Sequence, residues 1–422
     1  MPNTKASVAV AGTGVRSRPR AVLPALCVTQ ITSWGVLYYA FPVLNPAITD
    51  TTGWPASLTT AAFSAALIVS AVVGIYVGRV LDLRGPRAVM TAGSVLGPLS
   101  LFIVAAAPNL AVFTAGWLLA GASMAATFYP PAFAALTRWW APDHIRALTI
   151  VTLAGGLAST VFAPLTAVLA DHYSWRTTYA VLAAILAALT IPAHALALRA
   201  PWPPAPEGLH HPAAGPDPAV RSRAFWMLAA TFALSAFAMY AAVITLVPLF
   251  LERGYTTTQA AWALGLGGAG QTLGRTLYAT LARYTGTITR TATLVGLGGL
   301  TTAALAFTPS PYALLVVLSV LAGIVRGNLT LLQATAVTDR WGTAHYGRLS
   351  GLLGAPAHAA AALAPFAGAL LAAPLGGYAP LFALLSAIAT AGAITALATH
   401  PRQHPSQTAT PEPVAGNTAQ VE

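Results

Sequence analysis

LAGASMAATFYPPAFAALTRWWAPDHIR, residues 119–146, returns 202 residues later without a gap as LAGIVRGNLTLLQATAVTDRWGTAHYGR, residues 321–348. Both stretches open on Leu-Ala-Gly and carry Arg-Trp at the same place, Arg138 and Trp139 against Arg340 and Trp341. Both close on an arginine eight residues after the first, Arg146 against Arg348. Alanine matches between two Ala-rich stretches arise by chance. Paired Arg-Trp dipeptides with equal spacing to a second arginine mark a tandem, parallel duplication.

The composition around this repeat has no room for a water-exposed surface. Of 422 residues, 56% are hydrophobic and 7% charged, with a mean hydropathy of +0.69, where soluble domains carry roughly 25% charged residues. Apolar runs of about 20 residues, enough to cross roughly 30 Å of hydrocarbon as a helix, recur from Leu23 to Leu397. Twelve spans are expected, at 23–46, 57–80, 88–107, 110–136, 146–170, 176–198, 224–250, 258–282, 290–308, 311–337, 347–372 and 377–398. The stretch RAPWPPAPEGLHHPAAGPDPAVRSR, residues 199–223, is rich in proline and charge and reads as a linker. The expected organisation is an amino tail (1–22), six spans (23–198), the linker (199–223), six more spans (224–398) and a carboxyl tail (399–422). His210 and His211 sit side by side in the linker without further ligands and read as solvated, not as a metal site.

A pI near 10.2 and a net charge of +11 raise nucleic-acid binding as a reading, and the placement of the charges dismisses it. Of 21 Lys and Arg, all but Arg176, Arg253, Arg275 and Arg326 fall in the tails, the linker or the even-to-odd joints between spans. Only Arg176 and Arg253 lie on the other side. This asymmetry is the positive-inside pattern, so both termini are expected in the cytoplasm. The first apolar run is too long for a signal-peptide core and reads as a retained helix. One lysine beside 20 arginines hints at a high-GC bacterial gene, hence a bacterial inner membrane. The single cysteine, Cys27, has no disulfide partner and reads as a small packing residue.

The joint after the second span reads VGRVLDLRGPRAVM, residues 77–90. Gly78 permits close helix approach, Asp82 follows one turn later, Gly85 allows a tight reversal, and Arg84 and Arg87 stay in water. In the order of glycine, aspartate, glycine and basic positions, this joint resembles the signature between helices 2 and 3 of the major facilitator superfamily. Pro86 departs from it, standing where a basic residue is usual. The resemblance, over about residues 20–400, implies an all-α polytopic membrane protein of twelve transmembrane helices in two pseudo-symmetric six-helix bundles. It also implies that Asp82 caps a neighbouring helix and locks a gate.

Residues 137–179, with Gly155, Gly156 and Ser159, and WGVLYYAFP near the first span are similar to bacterial relatives of the monocarboxylate and oxalate/formate carriers. In that group an arginine embedded in helix 8 engages the substrate carboxylate, with an aspartate one turn before it. Here the arginine matches as Arg275 and the aspartate position holds Gln271. Val43 follows the YAFP-like motif where some carriers have lysine. Both departures remove groups that the resemblance ties to proton coupling.

Arg275 also stands out on physical grounds alone. An arginine near the bilayer centre costs about 2.5–3.5 kcal/mol on the mildest scale, so such residues face a cavity and meet an anion or carbonyls. No acidic residue falls in the middle of a span: Asp50, Asp171 and Glu252 sit at outer ends and the other seven lie in tails, linker or inner joints. Arg275 therefore has no obvious acidic partner, and a guanidinium offers two parallel donors to a substrate carboxylate; bonding to helix-end carbonyls, or snorkelling to the cytoplasm, is the alternative. Arg326 is a second intramembrane cation, read either as a substrate contact or as bonded to helix carbonyls. His358 lies near where oxalate/formate carriers place a lysine. Tyr38, Tyr129 and Gln271 lead the remaining polar candidates, ahead of Gln30, Tyr39, Tyr240, Asn328 and Gln333.

No P-loop, HExxH helix, cysteine cluster or Ser/His/Asp grouping is present. No enzyme activity, cofactor or metal is expected, and no nucleic-acid partner. The expected function is secondary active transport of a small organic anion, monocarboxylate-like, by a monomer in a lipid bilayer, as symporter or antiporter. Efflux of a drug or secondary metabolite by the same fold, and a transporter-like sensor, are the competing readings.

Overall fold

The computed structural model describes residues 19–140, 144–202, 219–341 and 346–399. The amino tail to residue 18, most of the linker with His210 and His211, and the carboxyl tail lie outside the described residues. Twelve long helices follow one another: α1 (Val22–Thr52), α2 (Ala56–Arg84), α3 (Pro86–Ala106), α4 (Leu110–Trp139), α5 (His144–His172) and α6 (Trp175–Ala197). After the linker come α7 (Arg223–Glu252), α8 (Thr257–Tyr284), α9 (Thr287–Phe307), α10 (Tyr312–Thr335), α11 (Tyr346–Ala372) and α12 (Tyr378–Leu397). Ten of the twelve are long and apolar enough to cross a membrane by themselves. The other two, α8 and α9, have 28 and 21 residues but are diluted by glycine and threonine.

The dilution in α8 has a packing reason. A Cβ built on Gly270 or Gly274 would lie 2.3 or 2.0 Å from the carbonyl oxygens of Val320 or Ile324 in α10. One built on Gly323 or Gly327 of α10 would lie 1.9 or 2.0 Å from the carbonyls of Gly267 or Gln271. The two backbones are thus in direct contact, which only small residues permit.

Four helices are less regular than twelve uninterrupted apolar runs suggest. The first relaxes into a π turn at Gly35–Tyr39, just before Pro42, whose ring would otherwise strike the carbonyl of Tyr38. The fourth breaks at Phe128, where Pro130 and Pro131 open a new segment, Tyr129–Trp139. The fifth breaks at Leu157, after the poor helix formers Gly155 and Gly156. The sixth ends in a π turn, Ala193–Ala197.

One end of the molecule, the basic end, carries the α2–α3 joint, Arg138 and Arg340. At the opposite end a single apolar core draws on both halves of the chain, joining Phe41, Phe63, Trp117 and Phe162 with Val247, Phe250, Leu264 and Phe382. Thr258 donates to Asp171 Oδ2 at 2.6 Å, tying α8 to α5 at that end. At the basic end the cores are separate. One gathers Leu26, Met90, Trp139 and Val151 from the first half, the other Phe225, Tyr278, Leu329 and Leu349 from the second.

Arg176 and Arg253, the two arginines at the opposite end, both cap helix ends. Arg176 donates to the carbonyls of Ala105 and Ala107, at 2.8 Å each, and Arg253 to those of Leu305 and Ala306, at 2.5 and 2.9 Å. Burial holds the Arg253 guanidinium below its usual range, against the opposing pull of Glu252.

Candidate functional site

The breaks in α1, α4 and α5 meet. Trp34, at the start of the π turn, stacks on Phe128 with ring centroids 4.0 Å apart and reaches Tyr129 at 5.3 Å. Gln30 donates to the carbonyl of Thr127 at 2.7 Å, satisfying an acceptor that the break in α4 frees. The Tyr129 hydroxyl lies over Gly155, where a Cβ would stand 2.3 Å from it.

Helix α8 closes this junction from the second half. Arg275 Nη1 donates to the carbonyl of Thr152, and Thr272 donates to that of Leu153 at 3.4 Å. Both carbonyls lie one turn before the break at Leu157, where the first segment of α5 ends at Gly156. In return Thr160 of α5 donates to the carbonyl of Gly265 at 2.8 Å, and Ser159 Oγ sits over Gly268. Of the two readings of Arg275, bonding to a helix carbonyl holds for Nη1, a partner that the census of acidic side chains does not register, while Nε is left without a protein acceptor.

A cluster of tyrosines lies within range of Arg275 and Arg326. Tyr38 is 2% exposed and touches Tyr39, Phe63 and Tyr240, with centroids 5.1, 5.3 and 6.4 Å away. Arg326 is within electrostatic range of Tyr38 and Tyr240, and Arg275 of Tyr129 and Tyr240. Tyr240 is thus within range of both cations. Buried donors without a protein partner are Trp34 Nε1, Tyr38 Oη, Arg275 Nε, and Arg326 Nε and Nη2. Gln30 Oε1, Ser33 Oγ, Ser159 Oγ and Asn328 Oδ1 are buried acceptors likewise without a partner, and the two guanidinium groups make the donors, not the acceptors, the charged ones.

Of the sequence candidates, Tyr38, Tyr129, Arg275 and Arg326 come together here. Gln271 is buried one turn before Arg275, its carbonyl against Gly327 of α10. His358 does not join them. It is exposed on α11, its ring over Gly354, and shares no contact with the cluster among the described residues. Trp34, Thr272 and the central place of Tyr240 were missed. Trp34 has a signal, since it stands one helical turn from Tyr38, but Thr272 acts on a backbone break that no side-chain motif marks.

At the basic end, Asp82 is paired with Arg138 at 2.8 Å, so its carboxylate goes to the repeat arginine of α4. Gly85 has φ +78, a left-handed conformation that favours glycine. Trp202 lies over it, donates its indole N–H to the Asp82 carbonyl at 3.2 Å and carries the Arg138 guanidinium 4.6 Å above its ring. Trp139 donates to the Pro201 carbonyl at 3.0 Å, and Arg87 to that of Ala195 at 3.0 Å. Arg84 is exposed. Gly78 meets nothing within 4 Å, contrary to the close helix approach expected there, because the two halves are separate at this end.

The second half repeats the arrangement with the acid moved. Arg290 pairs with Asp339 at 2.5 Å, Arg340 donates to Thr291 at 2.9 Å, and Trp341 packs on Phe225 at 5.5 Å. Burial lowers the Arg340 guanidinium to about 10, with Asp339 opposing the shift.

Fold and site define a multi-pass helical membrane protein with a repeated Arg-Trp element and a cationic, tyrosine-lined centre. The profile of the Major Facilitator Superfamily matches residues 26–313, and the chain belongs to that superfamily. Similar curated proteins include a 38 kDa protein in the 23S RNA operon of Thermoproteus tenax, 29% identical over 47% of this chain and 50% of that protein. Monocarboxylate transporter 13 of Bos taurus is 29% identical over 36% of this chain and 34% of its own length. The MFS-type transporter YcxA of Bacillus subtilis is 26% identical over 32% and 34%. The alignments span from about a third to a half of these relatives' lengths.

Proposed function

We propose that the protein is a secondary active transporter of a small organic anion, monocarboxylate-like, working by alternating access between two six-helix bundles, residues 23–198 and 224–398, joined by the linker 199–223. The observation that carries this reading is the pair of intramembrane guanidinium groups, Arg275 and Arg326, each with buried N–H groups that no protein acceptor meets. No acidic residue lies at their depth in any described helix. A buried cation of this kind is stabilised by an anion brought from outside. The similarity to a protein named monocarboxylate transporter 13 supports a carboxylate as that anion.

The positive-inside pattern makes the basic end cytoplasmic, with both termini there, in a bacterial inner membrane. The fused core at the opposite end and the separate cores at the basic end support a conformation open to the cytoplasm. The working unit is a monomer, since each chain contains both halves of the route. Purified protein in liposomes should take up labelled lactate or a similar acid, and Arg326→Gln should abolish the uptake. Normal uptake by Arg326→Gln and Arg275→Ala alike would sink the reading.

A further inference from the structure

Beside the tyrosine cluster lies a cavity of about 60 Å³, room for roughly five water-sized groups. It is lined by α7, α8, α9, α10 and α12, so all of its walls belong to the second half of the chain. Arg326 is its one charged residue. The rest of the lining is mostly Ala, Val, Leu, Met and Phe.

Four hydroxyl residues also line the cavity, Ser235, Thr301, Thr302 and Ser319, and three of them are already spent. Thr301 donates to Leu297, Thr302 to Gly298 and Ser319 to Leu315, each to a carbonyl one turn back on its own helix at 2.8–3.0 Å. Such back-bonded side chains turn methyl and methylene groups toward their surroundings. The cavity therefore offers strong donors at one point, Arg326 Nε and Nη2, and an almost wholly apolar wall elsewhere.

Resting on the proposed transport of an organic anion, we propose that Arg326 is the primary carboxylate anchor and that this cavity receives the hydrocarbon tail of the substrate. The substrate class is then a short-chain aliphatic monocarboxylate. A second carboxylate would be buried against apolar walls with no partner, a large penalty, so dicarboxylates are rejected. Arg275 has a different task. With Nη1 committed to the Thr152 carbonyl, it is a positioning residue that holds the seam between α5 and α8 beside the anchor.

The test measures dissociation constants of acetate, propionate, butyrate, succinate and chloride for the purified full chain. Each added methylene should tighten binding about fourfold until the cavity is full; succinate should bind more weakly than acetate. Ala242→Leu and Ala389→Leu each push a larger side chain into the cavity from a different helix, α7 or α12. In both variants the ratio of butyrate to acetate affinity should fall toward one, and Arg326→Gln should lose every acid. If either folded variant keeps the parent's full ratio of butyrate to acetate affinity, the tail does not lie in the cavity, and the organic-anion reading survives. Chloride binding as tight as acetate, with no dependence on chain length in the parent, would make this an inorganic-anion pocket and overturn the proposal. If the parent binds no carboxylate, the transport reading itself fails and takes this inference with it.

Discussion

Arg275 of α8 donates through Nη1 to the carbonyl of Thr152, one turn before the break in α5. The bond joins the two halves of the chain by giving a part-buried carbonyl a charged donor. Arg326 has no such bond and keeps Nε and Nη2 free of protein partners. The two cations should therefore fail differently when removed. We predict that Arg275→Ala lowers stability by about 1.5–3 kcal/mol, the contribution of a hydrogen bond from a charged group, and also reduces uptake. Arg326→Gln should melt no lower than the parent, since it removes an uncompensated buried charge, while uptake is lost. Melting curves in detergent beside liposome uptake distinguish the two, and an equal loss of stability in both variants would refute the division of roles.

Gly155 and Tyr129 make a second testable pair. A Cβ on Gly155 would stand 2.3 Å from Tyr129 Oη and 2.9 Å from Cζ, so Gly155→Ala must push the ring away from Trp34 and Phe133. Overpacking of this kind costs about 1–3 kcal/mol. Tyr129→Phe removes the nearest atom and leaves the second. The double variant should thus recover part, not all, of the stability lost by Gly155→Ala, a coupling that a double-mutant cycle measures. Strict additivity of the two changes would show that the ring does not bear on Gly155.

The linker entry offers a third. Trp202 touches Gly85, the Asp82 carbonyl and the Arg138 guanidinium, and Trp139 holds the Pro201 carbonyl. The Asp82–Arg138 pair is itself largely solvent-exposed on the aspartate side, 65%, and such pairs contribute little on their own. Trp202 is what fixes the chain there. Trp202→Ala should accelerate trypsin cleavage after Arg199 several-fold without changing the melting temperature much, whereas Asp82→Asn should change cleavage far less. Cleavage at the parent rate in Trp202→Ala would show that the indole is not a tether.

These contacts also mark how far residues alone could be read. The duplication was legible because Arg138–Trp139 and Arg340–Trp341 keep their spacing, and the helical membrane fold followed from charge-poor runs of spanning length. Arg275 and Arg326 were legible as charges out of place. Which carbonyl Arg275 touches was not, because main-chain carbonyls carry no side-chain signature. Pro130, Pro131, Gly155 and Gly156 do mark such breaks, yet only their meeting in space shows what they are for. Gly78 and His358 were read from position within motifs. Their surroundings depend on how the halves are disposed at the basic end, which no local pattern encodes.

The last prediction concerns the contact between α8 and α10. A Cβ on Gly274 would lie 2.0 Å from the Ile324 carbonyl oxygen, 2.8 Å from its carbon and 3.0 Å from Cα. The obstacle is rigid backbone, so no rotamer change relieves it, and the helices must separate. Gly274 is one residue before Arg275, and Gly327 is one residue after Arg326, so the separation moves both cations relative to the tyrosines. Gly274→Ala should cost about 1–3 kcal/mol of stability and weaken carboxylate binding although Gly274 does not line the cavity beside Arg326. Gly286→Ala, at a joint where nothing lies within 4 Å of the added carbon, is the control and should leave both quantities near the parent values. A Gly274→Ala protein with unchanged melting temperature and unchanged affinity would mean that α8 and α10 are not held at backbone contact.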